Sequence, residues 1–559
     1  MENQKKNNLI LIVIAVIVLG LILSVLAFTR DWGKTNDTIS TEKSIKQLNK
    51  LYSSINVKEL TPKKDYEYIN NSNYSVLPDI SEYPFVVNPT TDNFLTIYSS
   101  PEKAGTDYES FLVDVANKFN ASNITVDGKQ VSVGIRSISS GLAADFIAAK
   151  KYTPDVFAPS NELWGELLNE KGIKTNLVEK SIAGNVAGVV LSKKKNDELT
   201  KKYNNVDSQV IINAVLNNEV SIAYTDPYAS STGLNFLLTT LYSFDNSNPI
   251  SEKSIEQFRN FQQNIPFTAF NTMQMKDAAQ TGSLDGFLLE YQTFVNSPDM
   301  KSDYVFIPFG ARHDQPIYEI GELSELKKQI TSKFVEFCKT PESQKIATEK
   351  GFNGLSDYKF DKNISGNIIK AQEIWKNEKT GSSGITAVFV ADVSGSMEGS
   401  PLLKLKASLN QATDFIGNDA DVGLVTFSDS VNIAVPIGKF DATQKSYFSN
   451  AVKNLKAGGS TAMFDAIIAS EKMLIDAKEK NPNTRLMLFV LTDGETNRGH
   501  NFKDIEELTR GLKIPIYTIG YNADIDILKE ISNINEAATM NAETDNIIYR
   551  LESLFNSQM

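Results

Sequence analysis

Four short apolar runs in the C-terminal third of the chain alternate with stretches of helical period. They are ITAVFV (385–390), VGLVTF (422–427), LMLFVL (486–491) and IPIYTI (514–519). Continuous apolar strands that are separated by helices indicate a parallel sheet covered on both faces. The sequence therefore predicts a doubly wound α/β domain over residues 384–559, and in such domains ligands bind beyond the carboxyl ends of the strands.

Oxygen-bearing side chains follow these strands. Asp392, Ser394 and Ser396 alternate after the first strand, so an extended loop would point all three the same way. Thr461 lies in a Gly-rich loop before a helix, and Asp493 ends another strand. Asp, Ser and Gly are also ordinary turn residues. Two carboxylates with several hydroxyls are, however, the oxygen donors that suit Mg²⁺, with Mn²⁺ or Ca²⁺ as alternatives.

These residues resemble the von Willebrand factor A family and its metal-ion-dependent adhesion site (MIDAS), which reads Asp-x-Ser-x-Ser, then Thr, then Asp. The match is complete at Asp392, Ser394, Ser396, Thr461 and Asp493, and it extends to the TDG and GGST sequences around them. The resemblance implies a Rossmann-like domain. It also implies that the serines and the threonine ligate directly, and the aspartates directly or through water. An acidic side chain of a protein partner would then fill an open coordination position.

Residues 91–375 also alternate strands with helices, and Ser-rich turns stand at several helix starts. TIYSSPE, SISSGLAADF, PDVFAPS, TDPYASSTG, DGFLLEYQ and FVEFCKTPESQKIATEKGF resemble segments of the bacterial extracytoplasmic solute-binding proteins of the type II fold. That resemblance implies two lobes that close on a ligand, with the chain crossing between them near 185 and near 300. The cleft residues it implies are Ser99, Ser100, Ser139, Ser140, Ser160, Asp226, Tyr228, Ser231 and Tyr291.

The charges near this cleft argue against molybdate or sulfate as the ligand. Glu290 precedes Tyr291, and a carboxylate there would repel an oxyanion. Arg136 is the one positive group nearby, and the strand predicted around it also allows its side chain to point away from the cleft. A cleft that serves as a protein-binding or regulatory surface therefore stands beside solute capture as an alternative.

The N-terminus predicts a membrane anchor. Residues 9–28 carry no charge, and a helix of that length spans a hydrocarbon core of roughly 30 Å. Lys5 and Lys6 favour a cytoplasmic tail at 1–8, which makes the protein single-pass with its bulk outside the membrane. A cleavable signal peptide is the alternative, but no small-x-small cleavage site follows the run. Residues 31–90 are polar and predict a stalk, with one short helix around 41–53.

Composition removes several classes of function. The net charge of −12, without any basic stripe, argues against nucleic acid as a partner. Only two histidines and one cysteine occur, which argues against a His-rich zinc site and against nucleophile–base catalysis. Glu398 and Glu495 are the nearest candidates for a general base at the cation site, and both are expected at the rim of the loops. The sequence therefore predicts a binding protein and not an enzyme.

The preferred interpretation is a membrane-anchored bacterial surface protein that binds its partner through Mg²⁺. A GSSG hinge at 381–384 separates the two folded regions. The first alternative is a tethered receptor of a solute transport system, in which the C-terminal domain only docks on envelope proteins. The second is an envelope-stress or assembly factor whose C-terminal domain engages a cytoplasmic ATPase, which requires the opposite topology.

Overall fold

The computed structural model contains three large sheets flanked by helices. It describes residues 41–65, 77–266, 268–269, 275, 279, 284–360, 364, 366–379, 384–417, 420–494, 496–521, 525–533 and 539–541. Six-stranded and five-stranded sheets form the middle region, and a seven-stranded sheet forms the C-terminal domain. The molecule is therefore a mixed α/β protein with two differently built units.

The six-stranded sheet is the core of the first lobe of the middle region. Its strand Phe94–Ser99 pairs in parallel with two neighbours, and the helix Phe111–Ala121 covers one face with the apolar stripe that the sequence predicts. In spatial order the strands are Phe85–Val87, Ser132–Ser137, Phe94–Ser99, Val156–Ala158, Ile317–Ile320 and Thr175–Glu179. The helices are Pro101–Ala104, Phe111–Ala121, Ser140–Ala148, Leu163–Glu170, Glu325–Cys338 and Pro341–Glu349.

The five-stranded sheet is the core of the second lobe. The chain enters it between Glu179 and Val186 and leaves it between Arg312 and Ile317, so the return crossing lies later than the expected position near 300. In spatial order the strands are Thr268–Ala269, Ile222–Thr225, Gly286–Glu290, Val186–Ser192 and Tyr304–Arg312. The helices are Lys193–Tyr203, Ser208–Leu216, Ser231–Phe244, Glu252–Gln263, Tyr291–Val295 and Pro298–Asp303, and Ile368–Glu378 packs against both lobes.

The two lobes are closed directly on each other. Trp164 of the first lobe donates its indole N–H to the hydroxyl of Ser231 in the second lobe at 2.8 Å. Gly141 approaches the facing loop so closely that a Cβ there would lie 2.1 Å from the carbonyl oxygen of Tyr228. Buried apolar residues of both lobes form one continuous cluster. Direct protein contact therefore holds the lobes together.

The seven-stranded sheet is built around Ile385–Asp392, a strand in which every residue is buried. It pairs in parallel with Asp421–Phe427 and Arg485–Thr492, as its continuous apolar sequence predicts. In spatial order the strands are Val57–Glu59, Val431–Lys439, Asp421–Phe427, Ile385–Asp392, Arg485–Thr492, Ile516–Gly520 and Thr539–Asn541. The helices are Ser400–Phe415, Ala442–Lys453, Met463–Lys480, Phe502–Leu512 and Ile525–Asn533.

Residues 41–65 differ from the expected stalk, because they pack on the C-terminal domain. The predicted short helix is present as Thr41–Tyr52, and it contacts Met463–Lys480 and Phe502–Leu512. Leu48 on its inner face is fully buried in the core of that domain. The few apolar residues of this segment made it resemble an exposed linker in sequence. In the structure they lie on one face of the helix, and that face packs on the C-terminal domain.

The segment after this helix adds a strand to the sheet. Val57–Glu59 pairs in parallel with Val431–Lys439 and is the outermost strand on that side of the sheet. Farther on, the backbone N–H of Asp65 donates to the hydroxyl of Ser446 at 2.8 Å, on the helix Ala442–Lys453. The middle region is therefore inserted between two parts of one fold, because chain on both sides of it contributes strands to the same sheet.

Arg485 connects the C-terminal sheet to the second lobe. Its side chain donates to the carbonyl oxygen of Ile265 at 2.6 Å and to that of Lys379 at 3.4 Å. Gln262 donates to the same Lys379 carbonyl at 3.3 Å. Arg485 begins the strand that ends at Thr492, so this contact lies at the opposite end of that strand from the predicted cation site.

No helix among the described residues is long and apolar enough to cross a membrane. The predicted cytoplasmic tail at 1–8 and the predicted anchor at 9–28 lie outside the described residues. The structure therefore gives no support to the transmembrane helix in the predicted fold class, and the anchor stays a prediction from sequence.

Candidate functional site

Three loops meet at the carboxyl edge of the C-terminal sheet: the first loop (392–398), the second loop (457–462) and the third loop (492–500). The backbone N–H of Gly395 donates to the carbonyl oxygen of Gly459 at 3.0 Å, and that of Gly458 donates to Val393 at 2.9 Å. These bonds hold the first two loops against each other. The sheet edge therefore brings together residues that lie 64 and 65 positions apart in sequence.

The second and third loops are also tied together. The backbone N–H of Thr461 donates to the side-chain oxygen of Asn497 at 2.9 Å, and the Thr461 carbonyl accepts from the Asn497 N–H at 3.2 Å. His500 contacts Oδ1 of Asp465 through its backbone N–H at 2.9 Å and its ring Nδ1 at 2.6 Å. Because Asp465 lies in the first turn of the helix that follows the second loop, the third loop is fixed to that region at Asn497 and at His500.

Asp392 is the innermost carboxylate of this edge and is fully buried. Its Oδ1 accepts from the backbone N–H of Ser394 at 2.8 Å, and its Oδ2 accepts from the hydroxyl of Thr492 at 2.6 Å. Burial raises the pKa of Asp392 to about 6, and the charge of Asp493 adds to that effect. A carboxylate in this position is favoured in its charged form by a nearby cation.

Hydroxyl groups stand beside that carboxylate. The hydroxyl oxygens of Ser394 and Ser396 are 3.1 Å apart. The loop is not extended as the sequence analysis expected, because Gly395–Met397 form a 3-10 turn, and this turn brings the two hydroxyls together. Ser396 is exposed, whereas Thr461 is buried. The loop edge thus combines two buried carboxylates with hydroxyls that reach from the interior to the surface.

Asp493 carries the most informative atom of the site. The residue is 7% exposed, and its Oδ1 is buried without any hydrogen-bond partner in the described structure. A buried acceptor without a partner costs about 1–3 kcal/mol, and more when it is charged. Hard divalent cations bind such oxygen ligands, so the donor set fits Mg²⁺. No group of three or more His, Cys, Asp or Glu that could hold a metal occurs in the described part of the chain. A cation at this edge would therefore take hydroxyl oxygens as ligands beside the two carboxylates.

One of the two candidate general bases can be placed. Glu398 is exposed on the first loop. Glu495 lies outside the described residues.

The predicted serines of the solute cleft lie together in the first lobe. Ser99, Ser100, Ser140 and Ser160 are buried, and the Ser160 hydroxyl lies 3.3 Å from that of Ser100 and 3.5 Å from that of Ser140. Ser139 is half-buried at the start of the helix Ser140–Ala148. The sequence thus identified a cluster that the fold does assemble.

The cleft residues of the second lobe are more dispersed. Buried Asp226 accepts from the backbone N–H of Tyr228 at 2.8 Å, and Ser231 accepts from Trp164 of the first lobe. Tyr291 packs its ring on Phe306 with the centroids 5.2 Å apart. These contacts are internal to the protein and account for the placement of each residue without a solute.

Glu102, Lys103 and His313 lie at the closed cleft but were not among the cleft residues predicted from the sequence. Glu102 and Lys103 directly follow the Ser99–Ser100 pair, and that Glu-Lys dipeptide beside two serines was the available signal. His313 is fully buried, and its Nδ1 lies 2.5 Å from Oε1 of Glu290. Arg136 points away from the serines, because it donates to the carbonyl of Tyr83 and covers the ring of Phe85 at 4.0 Å.

The fold and the sites together define a two-lobed domain that is inserted between two parts of a doubly wound domain, and the doubly wound domain carries a polar loop edge. Comparison with family models agrees. Residues 387–556 match the von Willebrand factor type A (VWA) domain, and residues 103–353 match the bacterial extracellular solute-binding protein family. The chain contains a VWA domain preceded by a bacterial solute-binding domain, which supports a binding or docking role.

Known proteins resemble parts of the chain. Inter-alpha-trypsin inhibitor heavy chain H3 of Mesocricetus auratus is 26% identical over 178 residues, which is 29% of this chain and 19% of that protein. A von Willebrand factor type A structure from Catenulispora acidiphila has 16% identity and a TM-score of 0.29, and covers 31% of this chain and 42% of its own. The sulfate-binding protein SubI from Mycobacterium tuberculosis has 16% identity and a TM-score of 0.34, and the match covers 47% of this chain and 87% of SubI. The chain spans about a fifth of the length of the curated heavy chain it matches.

Proposed function

We propose that the protein is a membrane-anchored extracytoplasmic binding protein whose VWA domain binds a protein partner through Mg²⁺. Ser394, Ser396 and Thr461 would ligate the ion directly, and Asp392 and Asp493 directly or through water. The bound ion would supply a Lewis-acidic position for an acidic side chain of the partner. The chain's own residues would exclude competing ligands by burying both carboxylates behind the hydroxyls.

The observation that carries this proposal is the buried Oδ1 of Asp493, which has no hydrogen-bond partner in the described structure. It lies beside a second buried carboxylate, Asp392, whose pKa it raises. Two such groups are unfavourable together unless a positive charge compensates them. A divalent cation is the simplest compensating group for an all-oxygen site.

Residues 9–28 support the location, since 20 uncharged residues are long enough to span a bilayer. The cell membrane is therefore the proposed site of the protein, with its N-terminus in the cytoplasm. In this arrangement the solute-binding domain recognises a ligand or a partner outside the cell.

Titration calorimetry with MgCl₂ tests the metal site. The full-length protein is expected to bind one Mg²⁺, and Asp392→Ala and Asp493→Ala are expected to lose that binding. Asp526→Ala is the control, because Asp526 is a strongly exposed aspartate on another helix of the same domain. Equal heats of binding in all four proteins would refute the proposed ligands.

A pull-down from envelope extract tests the partner. It compares the full-length protein in Mg²⁺, the same protein in EDTA, and Asp392→Ala in Mg²⁺. A partner retained only by the intact protein in Mg²⁺ is the expected result. Equal retention in all three would assign partner binding to another surface of the protein.

A tethered receptor for a solute transport system is the second candidate function. The match of residues 103–353 to the solute-binding family favours it. This function predicts tight and specific binding of one small molecule to the full-length protein, and that binding would survive Asp392→Ala. Screening by thermal shift against ions, amino acids, sugars and vitamins would detect it.

A further inference from the structure

A buried group of donors in the first lobe surrounds one of the protein's own carboxylates. Oε1 of Glu102 accepts from the hydroxyl of Ser100 at 2.5 Å and from that of Ser160 at 2.7 Å. The ammonium group of Lys103 lies 3.5 Å from the same oxygen. Hydroxyls and an ammonium group that converge on one oxygen are the contacts of an anion site.

Lys103 makes a counter-charge necessary at this place. Its side chain is fully buried, and its ammonium group also donates to the hydroxyl of Ser100 at 2.6 Å and to the carbonyl of Pro159 at 3.3 Å. A buried ammonium group without an anion is strongly unfavourable. Glu102 supplies that anion, and the pKa of its carboxyl is lowered although burial alone would raise it.

The site lies where the two lobes meet. Asn161 directly follows Ser160, and its side-chain amide lies 3.0 Å from Nε2 of His313, which comes from the return crossing between the lobes. The amide of Asn235 in the second lobe lies 3.0 Å from the same nitrogen. Asn161 thus connects the Glu102 cluster to the second lobe through one buried imidazole.

We propose that Glu102 is a built-in ligand, whose carboxylate occupies an anion site in the first lobe of the solute-binding domain in place of a solute. Wild-type protein then does not take up small inorganic oxyanions at this site, because their place is filled. This inference is independent of the proposed metal site.

The test uses tryptophan fluorescence during thermal unfolding of the full-length protein. Trp164 and Trp375 are buried in or against the solute-binding domain. The third tryptophan, Trp32, precedes residue 41, and every protein compared carries Trp32→Phe, so the fluorescence reports on the solute-binding domain. Formate, acetate and sulfate are added separately at millimolar concentrations. Sodium chloride at equal ionic strength is the control for salt effects.

Glu102→Ala is expected to lower the melting temperature by on the order of 5–10 °C, since it removes the carboxylate 3.5 Å from the buried ammonium group of Lys103. Formate, acetate or sulfate should restore most of that loss in Glu102→Ala and should leave wild type unchanged. Glu109→Ala removes a half-buried carboxylate of the same segment and should show no anion-dependent recovery. Saturable stabilisation of wild type by sulfate, or no response of Glu102→Ala to any of the three anions, would overturn the proposal.

Glu102→Gln keeps the shape of the side chain and covers the case in which Glu102→Ala does not fold. It should melt below wild type, because its amide does not neutralise Lys103. The double variant Glu102→Gln, Lys103→Met should recover part of the loss, since it removes the unpaired charge. A Glu102→Gln protein as stable as wild type would show that the carboxylate is not acting as an anionic ligand.

Discussion

Replacing Asp493 by alanine should stabilise the VWA domain when no divalent cation is present. In the structure its Oδ1 is buried without a hydrogen-bond partner, and its charge raises the pKa of the buried Asp392. Removing an unsatisfied buried acceptor is worth about 1–3 kcal/mol. For a domain of this size, about 2 kcal/mol corresponds to a rise in melting temperature of roughly 4–8 °C.

Magnesium should reverse this order. Wild type gains about 2.7 kcal/mol when the free cation is at 100 times its Kd, whereas Asp493→Ala lacks a ligand and should gain little. Differential scanning calorimetry in EDTA and in MgCl₂ measures both effects, and tryptophan fluorescence recorded in parallel identifies the transition of the solute-binding domain. Asp526→Ala again serves as the control for removal of a surface charge.

Two results would refute the reasoning. If Asp493→Ala melts below wild type in EDTA, the Asp493 side chain stabilises the fold, and the buried Oδ1 is not an unfavourable unpaired acceptor. If MgCl₂ stabilises wild type and Asp493→Ala equally, the cation binds elsewhere. Either outcome would remove the observation on which the proposed metal-dependent binding rests.

Three further changes test other parts of the fold. Burial raises the pKa of Glu471 to about 8. The stability that its protonated carboxyl contributes is complete below an unfolded pKa of about 4.3 and is lost as the pH rises towards 8. Glu471→Gln should therefore be about 3 kcal/mol more stable than wild type at pH 7 and equally stable near pH 4, which amide hydrogen exchange of its helix would measure. Arg485→Met removes the 2.6 Å bond to the Ile265 carbonyl and should speed amide exchange around residues 262–266 about 10-fold, whereas Arg510→Met on an exposed helix face should not. Gly141→Ala places a Cβ 2.1 Å from a carbonyl of the facing lobe and should force the lobes apart, and an unchanged radius of gyration in small-angle scattering would contradict the closed contact.

The central strands of the VWA sheet could be predicted from sequence because burial on both faces requires uninterrupted apolar runs. The same pattern located the ends of those strands, and with them Asp392 and Asp493. The strand Val431–Lys439, second in the sheet, was not predicted, since it is antiparallel to its neighbour Asp421–Phe427, contains Pro436 and is only partly buried.

The candidate sites were predictable to different degrees. The proposed cation ligands lie at short fixed spacings in loops that directly follow predicted strands, so local sequence shows most of these donors. The Glu102 cluster depends on tertiary contacts instead. Ser100, Glu102 and Lys103 are adjacent in sequence, but Ser160 arrives from another strand end and makes the carboxylate pocket complete. A Glu-Lys pair in the first turn of a helix gives no indication by itself that both charges are buried.

The strand Val57–Glu59 has a mechanical consequence for a tethered protein. Because this strand and the helix Thr41–Tyr52 are part of the VWA fold, tension applied to the chain before residue 41 enters that fold directly. It reaches the loop edge at Asp392 through strand pairing and helix packing, and the solute-binding domain lies outside the path of the force. A pull between an anchor and a bound partner would therefore load the VWA sheet while leaving the inserted domain unstretched.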